Sequence, residues 1–146
     1  MALPNFNENG DLPAGVHKAP LGEVIDRFGS WPPRRRSVVE RLKRIHLIAL
    51  GTGHMARFIV FGSFVTNKPE PNDVDIFILM EDDFDTGKLP SETRLLFDHA
   101  AAQAHFGASV FWVRRLAAFA GEQETIEYWQ IKRDGSQRGI VEIIAE

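Results

Sequence analysis

Nine residues separate Gly62-Ser63 from Asp73-Val74-Asp75-Ile76, and the segments on both sides of that gap are strand-like. Arg57 to Phe61 is short, apolar and rich in β-formers, and it stops at the small-residue turn. Asp73 to Met80 then alternates: Val74, Ile76 and Ile78 face one way, and Asp73, Asp75 and Phe77 the other. The two carboxylates therefore stand on one face, roughly 6.6 Å apart along the strand. Like charges that close repel unless something cationic sits between them. A hard divalent ion such as Mg²⁺ or Mn²⁺, which takes carboxylate and phosphate oxygens, is the natural occupant. A Gly-Ser turn beside it brings backbone N–H groups and a hydroxyl up to phosphate oxygens. The spacing reads as a site for a nucleoside triphosphate.

The bulk numbers narrow the setting. At 146 residues the expectation is a single domain over residues 1–146, with 1–20 as an extended N-terminal arm. A hydrophobic share of 44% is enough for one core. Lys plus Arg total 17 against 20 for Asp plus Glu, so overall basicity does not argue for tight nucleic-acid binding. The absence of cysteine excludes disulfides, thiolate-zinc sites and a cysteine nucleophile. No apolar run reaches membrane-spanning length and the N-terminus lacks a signal-peptide pattern, so a cytoplasmic protein without membrane partners is expected.

Along the chain, Asn9-Gly10-Asp11 marks a turn in an arm that wraps over the body. Leu21 to Phe28 has helical spacing and Gly29 ends it. A longer amphipathic helix runs from about Arg34 to Leu50, with Val38, Leu42, Ile45 and Ala49 as its stripe. Its first residues, Arg34, Arg35 and Arg36, oppose the helix macrodipole, so they are not there to stabilise the helix. Together with Arg41, Lys43 and Arg44 on its flanks, they form either a solvated face or a basic edge toward a polyanionic substrate. Ser91 reads as the N-cap of a helix to about Phe106, stopped by Gly107. Ala108 to Val113 is a third strand, and Leu116 to about Tyr128 a helical piece. Asp134-Gly135 predicts a hairpin between Tyr128–Lys132 and Gly139–Ile144. His99 and His105 fall on different helix faces, which argues against a shared metal site, and His46 reads as a core-edge histidine. Phe111, Trp112, Tyr128 and Trp129 are strand packing first and base-stacking candidates second.

The strand, Gly-Ser turn, nine-residue gap and Asp-x-Asp strand resemble the signature of the DNA polymerase β-like nucleotidyltransferase superfamily. A second resemblance spans nearly the whole chain. It is carried by Phe6-Asn7-Glu8-Asn9-Gly10-Asp11-Leu12-Pro13 with Gly15 and His17, by Phe28-Gly29, and by Gly62-Ser63-Phe64-Val65-Thr66. The closing Asp134-Gly135 and Gly139-Ile140-Val141 complete it. These segments are similar to a family of small, largely uncharacterised bacterial proteins assigned to that superfamily. The resemblance implies an α/β (α+β) nucleotidyltransferase fold, a mixed β-sheet flanked by α-helices. It implies metal-dependent transfer of a nucleotide from a nucleoside triphosphate to an acceptor hydroxyl. Carried over, Asp73 and Asp75 are the catalytic metal ligands, and Gly62 and Ser63 hold the β- and γ-phosphates. Lys68, in the loop between the motifs, is a further candidate for a phosphate.

The chain departs from the pattern at the third carboxylate. The strand that should carry it, Ala108 to Val113, has no acid, and Ser109 takes the expected place. A neutral hydroxyl is a poor ligand for Mg²⁺. Glu142 on the last strand is the candidate replacement. Two function classes follow: an enzyme that transfers a nucleotide, or a degenerate domain that binds nucleotide or a protein partner without turnover, in a regulatory or antitoxin-like role. The chain is too short for a separate acceptor domain, so a second copy or a partner chain is a candidate for completing the acceptor site.

Overall fold

A five-stranded mixed sheet forms the centre of the computed structural model, which describes residues 3–118 and 120–145. The strands are β1 (Val16–Pro20), β2 (Met55–Phe61), β3 (Val74–Met80), β4 (Ala108–Arg114) and β5 (Ile140–Ile144). Their order across the sheet is β1-β5-β2-β3-β4. β1 runs parallel to β5 and β3 parallel to β4, while β2 is antiparallel to both β3 and β5. The helices are α1 (Leu21–Phe28), α2 (Pro33–Gly51), α3 (Ser91–Leu96), α4 (His99–Phe106) and α5 (Glu122–Tyr128).

The alternation along β3 sorts the sheet's two faces. Val74, Ile76, Ile78 and Met80 pack with Val24 and Phe28 of α1, with Val38, Leu42 and Ile45 of α2, and with Leu96, Ala102 and Phe106 of α3 and α4. Phe77 and Leu79 point the other way, into a smaller cluster with Ile59, Ile140 and Ile126 of α5. Four helices thus cover one face and one short helix part of the other. The predicted mixed sheet flanked by helices is present, and the faces of β3 are those that its alternation implies.

Four expectations are corrected. The helix from Ser91 to Phe106 is two helices, because Asp98 accepts from the Ala101 N–H at 2.9 Å and caps a new start. Ser91 is the first helical residue and Pro90 the cap position. The piece from Leu116 to Tyr128 is a 3₁₀ turn, Arg115–Ala117, and then α5. The C-terminal hairpin shrinks to a single bridge, Ile131 to Gln137 around the Gly135 turn. β5 instead inserts between β1 and β2, which gives its backbone ladders on both sides. The N-terminal arm accordingly ends in a true edge strand, β1, anchored by β5.

Candidate functional site

Register brings the sequence motifs to one end of the sheet. Phe61, the last residue of β2, faces Asp75 of β3, and Asp75 faces Ser109 of β4. Gly62 therefore turns away directly beside the Asp75 carboxylate. Its φ is +79°, and a Cβ placed there would run into Asp75 Oδ2. Only glycine satisfies both conditions. Ser63 is the second residue of a one-turn 3₁₀ helix, Gly62–Val65, and that turn is too short to contribute a macrodipole.

The exit from this turn is tied down by Arg35, which is 4% exposed. Its guanidinium donates to the carbonyls of Phe28 at 3.1 Å, Phe64 at 2.7 Å, Thr66 at 2.6 Å and Lys68 at 2.5 Å. Burial pulls its pKa below the ordinary arginine value. Arg35 is neither a solvated residue nor an edge for substrate: it staples the loop after the Gly-Ser turn to the start of α2. Lys68 is exposed, and its backbone carbonyl and N–H are engaged in that staple, the N–H on Thr66 Oγ1 at 3.2 Å.

Asp73, just before β3, and Asp75 are both partly exposed at this end. The Asp75 carboxyl is pushed up to about 6 from an ordinary 3.8, first by burial and then by the charge of Asp73. Arg138 and a hydrogen bond from Ser109 oppose the shift. The Ser109 hydroxyl also donates to Gln103 Oε1 at 3.0 Å, so its single proton is divided between two acceptors. Burial and a neighbouring anion are the conditions a bound cation would relieve.

Because the folded state holds the Asp75 proton more tightly than the unfolded chain, ionising it lowers stability as pH rises from about 4 through about 6. Asp75→Asn removes this dependence. At about pH 7.5 the variant should be more stable than the parent by about 1–2 kcal/mol, the value of about 1.4 kcal/mol per pH unit reduced for solvent screening. Near pH 4 the two should converge. Urea midpoints at both pH values check this, and a pH-independent difference would contradict it.

Glu142 is not brought to the aspartates. It faces Ile59, so it lies two strands from Asp75 and two residues further along the sheet, about 12 Å away by ordinary sheet spacings. It is buried and paired bidentately with Arg57, Nε–Oε2 at 3.0 Å and Nη2–Oε1 at 2.6 Å. The pair raises the pKa of Arg57, the hydrogen bond to Glu142 being the largest cause. Among the described residues, no group of three His, Cys, Asp or Glu side chains stands close enough to hold a metal ion. The donor set of Asp73 and Asp75 still fits Mg²⁺ that arrives with a nucleotide. That ion is ordinarily held by one or two carboxylates plus phosphate and water oxygens, not by an all-protein cage.

A second group of residues escaped the sequence reading. Asp11, 5% exposed, is paired with Lys132 at 2.9 Å and lies 3.8 Å from Arg138. Asp11 bridges to Thr66, the Gly139 N–H donates to the Leu12 carbonyl, and the Asn67 N–H to the Gly10 carbonyl. The Gly15 N–H donates to the Gln130 side chain at 2.5 Å. The N-terminal arm and the closing turn thus converge on the Gly62 side of Asp75 and set two cations there against one carboxylate. Asp11 and the closing Gly139 were visible as motifs; their meeting was not, since it depends on the pairing of β1 with β5.

His46, Trp129 and Trp112 pack into the body of the fold, while Tyr128 is exposed. His46 packs edge-on against Phe58 at 4.9 Å, and burial lowers its pKa. Trp129 packs among Phe61, Phe77 and Phe111, with ring centroids 4.6, 5.3 and 5.0 Å away. The Trp112 indole donates to the Phe97 carbonyl at 2.8 Å.

No curated protein and no solved structure matches the chain. A family model described as "Family of unknown function (DUF6932)" matches residues 4–144, and the chain belongs to that family.

Proposed function

We propose that this protein is a nucleotidyltransferase-like domain that binds a magnesium–nucleoside triphosphate at the end of β2 and β3. The observation that carries the reading is the seating of the Asp75 carboxylate against Gly62, with Asp73 on the same strand face and Ser109 across from it. Asp73 and Asp75 would hold Mg²⁺ or Mn²⁺, which supplies charge neutralisation at the reacting phosphate. Gly62 and Ser63 would take the β- and γ-phosphates. Because the 3₁₀ turn offers no helix dipole, Arg138 and Lys132 would provide the positive charge beside them. In the reaction the acceptor hydroxyl oxygen bonds to the α-phosphorus, the bond to the bridging oxygen breaks, pyrophosphate leaves, and the hydroxyl proton passes to water.

A second reading is favoured by a specific pair of observations: a degenerate domain that binds nucleotide or a protein partner without turnover, in a regulatory or antitoxin-like role. Ser109 stands where a third acid would face Asp75, and Glu142 is committed to Arg57. Losing an ion at the attacking oxygen costs more in rate than in nucleotide affinity, since phosphate contacts persist in the ground state. The expected result is nucleotide binding with slow pyrophosphate release. Ser109→Asp restores the acid and should raise release about tenfold or more while lowering metal-free stability through repulsion with Asp75. Pyrophosphate release over a panel of nucleoside triphosphates with Mg²⁺ or Mn²⁺ tests both readings. Fast release by the unmodified protein that is unchanged in Ser109→Asp would mean that two carboxylates suffice. No binding and no release would sink both.

A further inference from the structure

We propose that a cavity on the far side of β3 from the Gly-Ser turn holds the phosphate group of a small acceptor molecule. The inference rests on the nucleotidyltransferase reading and adds the acceptor's chemical class to it. The cavity, about 510 Å³, is lined by polar groups of Arg41, Arg44, Asn72, Asp73, Gln103 and His105. That volume lies within the range of small-molecule sites, roughly 300–1,000 Å³.

Its cations are held in place by contacts with residues that line or adjoin it. Arg41 spends Nη1 on the carbonyls of Asn72 at 3.1 Å and Gly107 at 3.3 Å, bonds that fix the guanidinium plane without using Nε or Nη2. It lies so close over Gly107, where φ is +67°, that a Cβ there would come within 3.2 Å of Arg41 Cδ. Arg44 pairs with Glu92 at 2.6 Å and sits 5.1 Å from the centre of the Phe106 ring. Glu92 also bonds His105 Nε2 at 3.0 Å. Arg34 reaches the Asn72 side chain at 3.4 Å. The charged and titratable groups here are thus Arg34, Arg41 and Arg44 of α2, Glu92 of α3, His105 of α4, and Asp73. Pre-oriented guanidinium forks match the geometry of phosphate oxygens, and fixing them beforehand lowers the ordering cost of binding.

Position supplies the role. Asp73 forms one wall, and Gln103 on another wall reaches Ser109, which faces Asp75. A hydroxyl attached to a phosphate held here would meet the aspartates from the β4 side. The Gly-Ser turn, Arg138 and Lys132 approach them from the β2 and β5 side. Attack and departure on opposite sides of the phosphorus are what in-line displacement requires. The formal charge of −3 argues against a polynucleotide as the acceptor.

Inorganic phosphate is the probe, titrated by calorimetry into the full chain without metal or nucleotide. Saturable binding is expected, weakened about tenfold by Arg44→Gln and also by Arg41→Lys, which cannot present a fork. Arg36→Gln, on the same helix but lining a different cavity with Ile25 and Asp26, should leave it unchanged. Glycerol phosphate should bind at least as well as phosphate. Absence of saturation, or equal loss in Arg36→Gln, would overturn the site. Much tighter binding of a 5′-phosphorylated oligonucleotide would overturn the small acceptor. Competitive displacement of phosphate by metal-free ATP would assign the cavity to the nucleotide and overturn its acceptor role. Stabilisation by magnesium–ATP, measured separately, keeps the two readings apart: phosphate binding without it leaves the anion site and removes the enzyme reading, and the converse removes only the site.

Discussion

Arg35→Met should destabilise the fold by about 3–5 kcal/mol. The methionine fills the volume, so the loss reports the bonds. Four carbonyls, of Phe28, Phe64, Thr66 and Lys68, lose a charged donor in a place where arginine itself is 4% exposed. Buried acceptors without partners carry their full desolvation cost. Arg35→Lys should lie between, because a point charge cannot span carbonyls of both the α1 end and the loop at 64–68. Urea unfolding followed by circular dichroism measures this. A loss below about 1 kcal/mol for the methionine variant would show that water reaches those carbonyls freely.

Gly62→Ala should cost about 2–4 kcal/mol and remove nucleotide binding as well. One part is backbone: an L-residue at φ +79° pays about 1 kcal/mol or more. The other is steric, since the new methyl occupies the position of Asp75 Oδ2 and must expel that carboxylate. The combination separates this site from an ordinary turn glycine. Gly135, also at positive φ (+87°), has nothing within 4 Å of its virtual Cβ, so Gly135→Ala should show only the backbone part and leave nucleotide binding intact. Parallel melts of the two variants with and without magnesium–ATP make the comparison. Equal stability losses with binding retained in both would contradict the close approach of Gly62 and Asp75.

Local signals sufficed where an element's partners do not matter to its own pattern. Leu21–Phe28 ends where its apolar spacing and Gly29 place the end, and β3 shows its faces through strict alternation. The break between α3 and α4 was written in Asp98, a capping residue, but Leu95, Leu96, Ala102 and Phe106 continue a helical stripe across it and conceal the interruption. Gly139–Ile144 reads as half of a hairpin because Asp134-Gly135 is a local signal. Its real neighbours, β1 and β2, lie far away in sequence, and long-range pairing has no local signature.

The candidate site divides the same way. Gly62, Asp73 and Asp75 were legible from the spacing of two consecutive strands, and Ser109 only through the family resemblance; register then brings the four to one end of the sheet. Arg138, Lys132 and Asp11 were not legible, since only the closure of β1 onto β5 assembles them. The arginines of α2 signalled a conflict with the helix dipole, but sequence does not reveal which of Arg34, Arg35 and Arg36 is buried, and only Arg35 is.

The claim that Asp73, Asp75 and the Gly62-Ser63 turn form one nucleotide site is tested most directly by magnesium–nucleoside triphosphate titrations of the parent chain and Asp75→Asn. Asparagine keeps the shape and removes the charge. The parent's melting temperature should rise with magnesium–nucleotide, and this rise should disappear in the variant, whose ligand-free melting temperature at neutral pH equals or exceeds the parent's. The same ligand-induced rise in both proteins would contradict that claim.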